Sequence, residues 1–547
     1  RARSLRVRLR GGRISTRVYR AVAAAVAGQG DDGAWAQSAQ PRILETALCC
    51  IALAQTGQAG GAVDRACRWL SGPAQDVRQG HEAFVAAADR WLRALALAPV
   101  DPQTIPALPP GGAAHHGRRV LLLHTVAVAC GAPGIDAADL LARCRAALGA
   151  GRGRGLKGWQ RCVYLSGELI ATGALGGVAP DTAVAELEAE QSEDGAFHAM
   201  PAITAICLLA LHRVGPERAS TRRCLQSVLA GQRPDGTWRF TAFDVWDTGL
   251  MVRCLRGLPD FDRTALTPAL EFLARHQSSD GGWPSAQGIA SDNDTTGNTL
   301  LALRGTAHGD ALWPAAARYV RTRRRADGLW TTWQSDDDEP AEDVVAHMVA
   351  GVRAHDVDRT IDTDPAVRWL GARHRAHGRF KAHWYAFPGY PVSEIAPVVG
   401  WHSREVAADV ADLAAAQRPD GGWPRLPDDP HSSAAATALA VTALTRSPGG
   451  HHRAVERAAR FLIDRQRGDG TWEEPGPFMY GPRPFLAQIG PQAHAFTCRG
   501  LADLLQARQP GPVSDDPSPC PPAATGSIPT PATATTTPLR PTRGLHP

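Results

Sequence analysis

A seven-residue unit, Gln-x-x-Asp-Gly-x-aromatic, constrains this 547-residue chain more than any other feature. It occurs as QGDDGAW (Gln29 to Trp35), QSEDGAF (Gln191 to Phe197), QRPDGTW (Gln232 to Trp238), QSSDGGW (Gln277 to Trp283), RRADGLW (Arg324 to Trp330), QRPDGGW (Gln417 to Trp423) and QRGDGTW (Gln466 to Trp472). HRAHGRF (His374 to Phe380) is a degenerate eighth copy. From residue 191 onward the starts are spaced 41, 45, 47, 50, 43 and 49 residues, room for one helical hairpin per copy. An apolar helix such as ALTPALEFLARHQ precedes the unit and another such as NTLLALRG follows it, while Asp-Gly supplies the turn between them. Stacked hairpins of this period close into rings, with inner helices around a cavity and outer helices in water. The predicted fold is therefore all-α, two α/α toroids of roughly 250 residues each. The expected division is an N-terminal helix at 1–27 completing the second toroid, an inserted first toroid at 28–240, and a second at 241–509. A Pro/Thr-rich tail at 510–547 has too few large apolar residues to offset the entropy of ordering it.

Composition removes several classes. No run of apolar residues is long enough for a transmembrane helix, and the Arg-rich start lacks the apolar stretch of a secretory signal, so a cytoplasmic protein is expected. A net charge of +5 over the whole chain, without a basic stripe, argues against nucleic acid. The eleven cysteines are odd in number, the nine from Cys49 to Cys254 lack paired spacing, and Cys49, Cys50, Cys207 and Cys254 sit in Ala/Leu helical runs, which reads as reduced core thiols. All but two of the 59 basic residues are arginine, the exceptions being Lys157 and Lys381.

The repeats resemble the QW motifs of the squalene-hopene cyclase and class II terpene cyclase superfamily, over nearly the whole chain apart from the tail. FDVWDTGLMVRCL (Phe243 to Leu255) resembles a cyclase VWDT segment, and Asp292-Asn293-Asp294-Thr295-Thr296 stands where the family carries DxDD, with Thr295 replacing the last Asp. The resemblance implies a reaction begun by protonating an isolated C=C bond. The acid must be neutral at rest and deliver its proton to carbon in a dry pocket. Asp294 is the expected donor, with Asp292 favouring its protonated form and the threonine hydroxyls and helix N-terminus stabilising the aspartate left behind. Carbocations in such a pocket need aromatic faces. The candidates are Trp246 and the cluster KAHWYAFPGYPVSE, which holds Trp384, Tyr385, Phe387 and Tyr390.

The implied substrate is a prenyl diphosphate whose diphosphate is retained, farnesyl diphosphate giving a drimane-type bicyclic product. Geranylgeranyl diphosphate, giving a labdane-type product, is the alternative; squalene is third, and a non-catalytic scaffold is the rival of another class. Lys157, Lys381, Arg379 and Arg239 are the candidate diphosphate anchors, with Mg²⁺ assisting as cofactor and its ligands open. The run Asp336-Asp337-Asp338-Glu339-Pro340 lacks DDxxD spacing and reads as a solvated turn, and no zinc constellation of Asp, Cys and His is evident. A monomer or homodimer is expected.

Overall fold

The structure, a computed structural model, describes residues 13–36, 39–72, 83–97, 117–258, 261–332, 338–480 and 485–507. The C-terminal tail and Asp336 and Asp337 of the acidic run lie outside the described residues. The order begins with α1 (Arg13–Ala27), followed by α2 (Ile43–Thr56), α3 (Gly60–Ser71), α4 (Ala83–Leu97), α5 (Gly117–Cys130) and α6 (Ala137–Leu148). Next come α7 (Gly158–Ala174), α8 (Asp181–Glu188), α9 (Pro201–Val214) and α10 (Ala219–Ala230). The second half holds α11 (Asp244–Arg256), α12 (Thr267–Arg275), α13 (Asn293–Leu303), α14 (Ala307–Arg323), α15 (Glu342–His355) and α16 (Asp364–His377). It ends with α17 (Tyr390–Val399), α18 (Arg404–Ala415), α19 (Ala434–Arg446), α20 (His452–Arg465) and α21 (Gly490–Gln506). The only strands among the described residues are two antiparallel pairs, Trp423–Pro424 with Ser432–Ser433 and Met479–Tyr480 with Leu486–Ala487.

Apolar patterning assigns each helix to a layer. In α2 every residue from Ile43 to Leu53 is buried, so it belongs to an inner ring; α20 buries only Ala458, Ala459, Phe461 and Leu462 among charged residues, so it is an outer helix. In the second half α11, α13, α15, α17, α19 and α21 pack in that order and α21 returns to α11, closing the inner circle. In the first half the inner helices run α4, α2, α9, α7, α5.

The repeated unit is a fastener between neighbouring outer helices. Its Trp Nε1 donates to the carbonyl ten residues upstream in six copies, as in Trp283 to Leu273 at 2.8 Å and Trp423 to Leu413 at 2.8 Å. Its Gln bridges its own glycine carbonyl and the next outer helix, as Gln277 does to Gly281 and to Leu312 of α14. The glycine has positive φ and lies against that helix's backbone: a Cβ on Gly281 (φ +91°) would sit 2.2 Å from the Ala315 oxygen. Read copy by copy, these contacts trace the rings. Gln232 reaches Ala62 of α3, joining α10 to α3, and Gln466 reaches Arg17, joining α20 to α1. Gly33 abuts Pro268 of α12, so the first copy, which follows α1, fastens the second ring.

That corrects the expected boundary at residue 28. Trp35 and Ala39 pack in the apolar core formed by residues 240 to 504, whereas Ile43 to Trp238 form the other core. The degenerate copy fastens by different chemistry: His374 Nε2 lies 2.9 Å from Asp409 Oδ1 of α18, and the Phe380 N–H donates to Asp409 Oδ2.

Candidate functional site

One copy of the repeat positions the acidic string. The Asp292 N–H donates to the Trp283 carbonyl at 3.1 Å, the Trp283 N–H donates to Thr296 Oγ1 at 3.0 Å, and that hydroxyl donates back to the Asp292 carbonyl at 2.7 Å. Asp292 is thereby set as the N-cap of α13, its carboxylate accepting from the Thr295 N–H and the Thr295 hydroxyl. Burial first, and then the Asp294 charge, push the Asp292 carboxyl up to about 7 against the hydrogen bonds from Thr295. The threonine hydroxyls therefore serve Asp292 and the repeat, not Asp294 as the sequence suggested.

Asp294, 5% exposed in the first turn of α13, reaches across to α15. Its Oδ1 lies 2.7 Å from His347 Nδ1, and the other ring nitrogen, Nε2, lies 2.9 Å from Glu394 Oε2 of α17. Arg253 of α11 donates to Glu394 at 2.7 Å, and Arg499 of α21 donates to its other oxygen. Arg253 also donates to Asn298 Oδ1, one turn along α13 from Asp294. Four inner helices besides α13 thus hold one buried chain of charge.

Burial alone would raise the Glu394 carboxyl; the two guanidinium groups and His347 outweigh it and hold it well below the usual carboxylate range. Burial pulls His347 down, but the facing carboxylates of Asp294 and Glu394 carry it up to about 9. An oxygen stands at each ring nitrogen, which is the arrangement of an imidazolium donating twice. Among the described residues the Asp294 side chain is engaged through Oδ1. Asp343 of α15, also fully buried, is pushed up to about 6 by burial and then by Asp294, while its Oδ2 accepts the His383 and Trp384 N–H groups.

Four of the five expected aromatics come together. Trp246 faces His347 with ring centroids 5.8 Å apart, and its Nε1 donates to the Tyr385 hydroxyl at 2.8 Å. Tyr385 packs on Tyr390 at 4.5 Å and edge-on to Phe496 at 5.1 Å, and Phe387 stacks on Phe478 at 4.9 Å. Trp384 instead sets its ring against His383. The Tyr385 hydroxyl donates on to Gln492, whose amide donates to Asp247 Oδ1 at 2.7 Å. Trp246, Tyr390 and Gln492, like Asp294, lie in the first turns of inner helices.

The diphosphate candidates separate. Lys157, the residue before α7, is nearly buried; its Nζ lies 4.0 Å from Asp338 Oδ1 across the junction of the two halves and 5.9 Å from the Trp159 ring. Buried Arg119 lies 5.2 Å from the same ring. Lys381, Arg379 and Arg239 are exposed, and of Lys381 it is the backbone N–H that is engaged, donating to Glu342. Asp338 is not a solvated turn residue: its side chain is 14% exposed, opposite Lys157.

The residues missed by sequence reading are His347, Glu394, Arg253, Arg499 and Arg119. The signal for the first two was a charged or titratable side chain inside an otherwise apolar inner helix, VVAHMVAG and YPVSEIAP.

Residues 335–503 match the family described as Squalene-hopene cyclase C-terminal domain. Among solved structures, ent-copalyl diphosphate synthase from Streptomyces platensis superposes with a TM-score of 0.57 over 89% of this chain and 99% of that one; at 18% identity it shows the shared fold. By sequence the chain is similar to class II terpene cyclases, as its repeats suggested. More particularly, it is 32% identical to the drimenyl diphosphate synthase of Streptomyces showdoensis over 327 residues and 32% identical to that of Streptantibioticus cattleyicolor over 335. These matches cover 56% and 55% of this chain, and 59% and 60% of the length of those relatives. A copalyl diphosphate synthase of Streptomyces anulatus is 52% identical over 58 residues, 10% of either chain. No helix among the described residues is long and apolar enough to cross a membrane.

Proposed function

We propose that this protein is a protonation-initiated cyclase that converts farnesyl diphosphate to a drimane-type bicyclic diphosphate with the diphosphate retained. The observation that carries the reading is the Asp294–His347–Glu394 chain. Asp294 transfers the proton on Oδ2 to the terminal C=C; the π electrons form the new C–H bond and leave a tertiary cation, which the next double bonds close upon. Loss of a proton from carbon ends the sequence. His347 donates to Asp294 Oδ1, and its attraction grows when Asp294 becomes anionic, so it stabilises the transition state more than the resting acid. Glu394, pinned by two arginines, keeps His347 protonated. Trp246, Tyr385, Phe387 and Tyr390 offer ring faces and no strong nucleophile to the cation.

Lys157 and Arg119 are the groups that anchor the diphosphate, across the junction from the acid. Mg²⁺ suits a hard oxygen donor, and Asp338 beside Lys157 is the described carboxylate placed to share it with a diphosphate; the ion would supply charge neutralisation there. The short copalyl diphosphate synthase match favours a second reading, geranylgeranyl diphosphate cyclised to a labdane-type diphosphate. The test is incubation of the purified chain with farnesyl diphosphate, geranylgeranyl diphosphate and squalene, each with Mg²⁺, followed by dephosphorylation and mass spectrometry. A drimane-type alcohol from farnesyl diphosphate is expected; turnover of geranylgeranyl diphosphate alone would establish the second reading, and turnover of squalene alone would overturn both.

A further inference from the structure

The first half contains a cluster that the cyclisation chemistry does not use. Cys162 projects from the first turns of α7, Glu190 follows α8, and His198 lies in the turn before α9. One ligand atom of each falls within 4.8 Å of the others. We propose that Cys162, Glu190 and His198 bind a zinc ion that ties these three elements together.

The donor set decides the metal. One thiolate, one imidazole and one carboxylate are ligands for Zn²⁺ and poor ones for Mg²⁺, which seeks oxygen alone. A tetrahedral zinc site separates its ligand atoms by about 3.3 to 3.8 Å, so the cluster needs only small side-chain rotations to close on an ion. A thiolate and a carboxylate together neutralise the ion. The Cys162 proton is released to solvent on binding, and a water takes the fourth position.

Three further observations single the cluster out. His198 and Ala199 have φ of +52° and +51°, two consecutive non-glycine residues held in the left-handed region at the cluster. Gly158 makes room for the ring: a Cβ there would lie 2.1 Å from His198 Cε1 and 2.6 Å from Nε2. His198 Nε2 is shut off from solvent 3.2 Å from Glu190 Oε2 yet lacks the geometry of a hydrogen bond to it, while Arg161 fixes the other Glu190 oxygen at 2.5 Å.

The consequence is structural. The Ala199 carbonyl accepts from the Thr241 hydroxyl at 3.4 Å and its Cβ borders Gly288, so the ion would brace contacts to the segment that leads to Asp292.

The full chain, stripped with chelator, is titrated with Zn²⁺ and with Co²⁺. One equivalent is expected to bind, with the Co²⁺ form showing a thiolate-to-metal charge-transfer band. Cys162→Ser and His198→Asn should each weaken binding about 100-fold or more, beyond what loss of an outer hydrogen bond costs, whereas Cys130→Ser should not. Circular dichroism and thermal unfolding in chelator check that the variants fold; because His198 is partly exposed, its variant carries the test if Cys162→Ser does not. No stoichiometric binding, or a charge-transfer band that persists in Cys162→Ser, overturns the proposal, and neither result bears on cyclase activity.

Discussion

In the proposed reaction Asp294 and His347 operate as one unit, because the attraction between them grows as Asp294 gives up its proton. Asp294→Asn keeps the size of the side chain and removes the proton, so turnover should fall by ~10³-fold or more while circular dichroism and the unfolding midpoint change little. Near wild-type turnover in that variant would refute the assignment. His347 also makes a prediction about stability. Its folded pKa, about 9, exceeds the ordinary 6.5, so the stability it contributes is complete below pH 6.5 and is lost as pH rises through 9. Asp292 works in the same direction: burying its charge costs nothing below its ordinary 3.8, and the cost is complete above about 7. Between pH 7 and 9 His347 is the member of the pair still titrating. The urea midpoint should fall across that window by the equivalent of about 3 kcal/mol or less, and His347→Gln should flatten the fall; parallel pH profiles for the two proteins would contradict the assigned protonation. Asp294 was legible in the sequence because an Asp-x-Asp string at a helix start sits beside a repeat that fixes its context. His347 and Glu394 were not, since they come from 53 and 100 residues further along, and a lone His in an apolar helix reads as core until the structure shows what faces it.

At the level of elements, the repeat's glycines separate backbone strain from close approach. Gly281 has φ +91° and touches the backbone of α14, whereas Gly378, after α16, has φ +72° with nothing within 4 Å of its would-be Cβ. Gly378→Ala should cost only the left-handed penalty, about 1 to 2 kcal/mol. Gly281→Ala adds displacement of the next outer helix and should cost about 3 kcal/mol or more, read as a larger drop in the denaturant midpoint. Equal losses would mean that the glycine serves the turn and not the junction. The helix class and the count of hairpins were legible because the unit recurs with its turn chemistry intact. Ring membership of the first copy was not. Trp35 precedes a long stretch without the unit, and spacing alone assigns it to whatever follows; the contact of Gly33 with Pro268 and the packing of Trp35 in the second core show that it closes the other ring.

For the whole molecule, the proposed function divides the labour between the halves. On that reading the second half supplies the acid, the charge chain and the aromatics, and the first supplies Lys157 and Arg119, which flank the Trp159 ring. A prenyl diphosphate would then place its tail's end at Asp294 and its head at those two cations. Composition marked Lys157 and Lys381 equally, as the two lysines in an arginine-rich chain; position distinguishes them, since Lys157 faces Asp338 at the junction and Lys381 is exposed. Lys157→Ala should raise KM for the prenyl diphosphate about tenfold or more, which is about 1.4 kcal/mol, the low end for a charge-assisted hydrogen bond. Lys157→Arg should restore part of that, because a planar fork cannot reproduce the reach of an ammonium. Lys381→Ala should leave KM within about twofold, as expected of an exposed charge screened by solvent. If the two alanine variants exchanged these effects, the head group would lie on the outer face of the second ring, and a substrate spanning the junction to Asp294 would no longer be tenable.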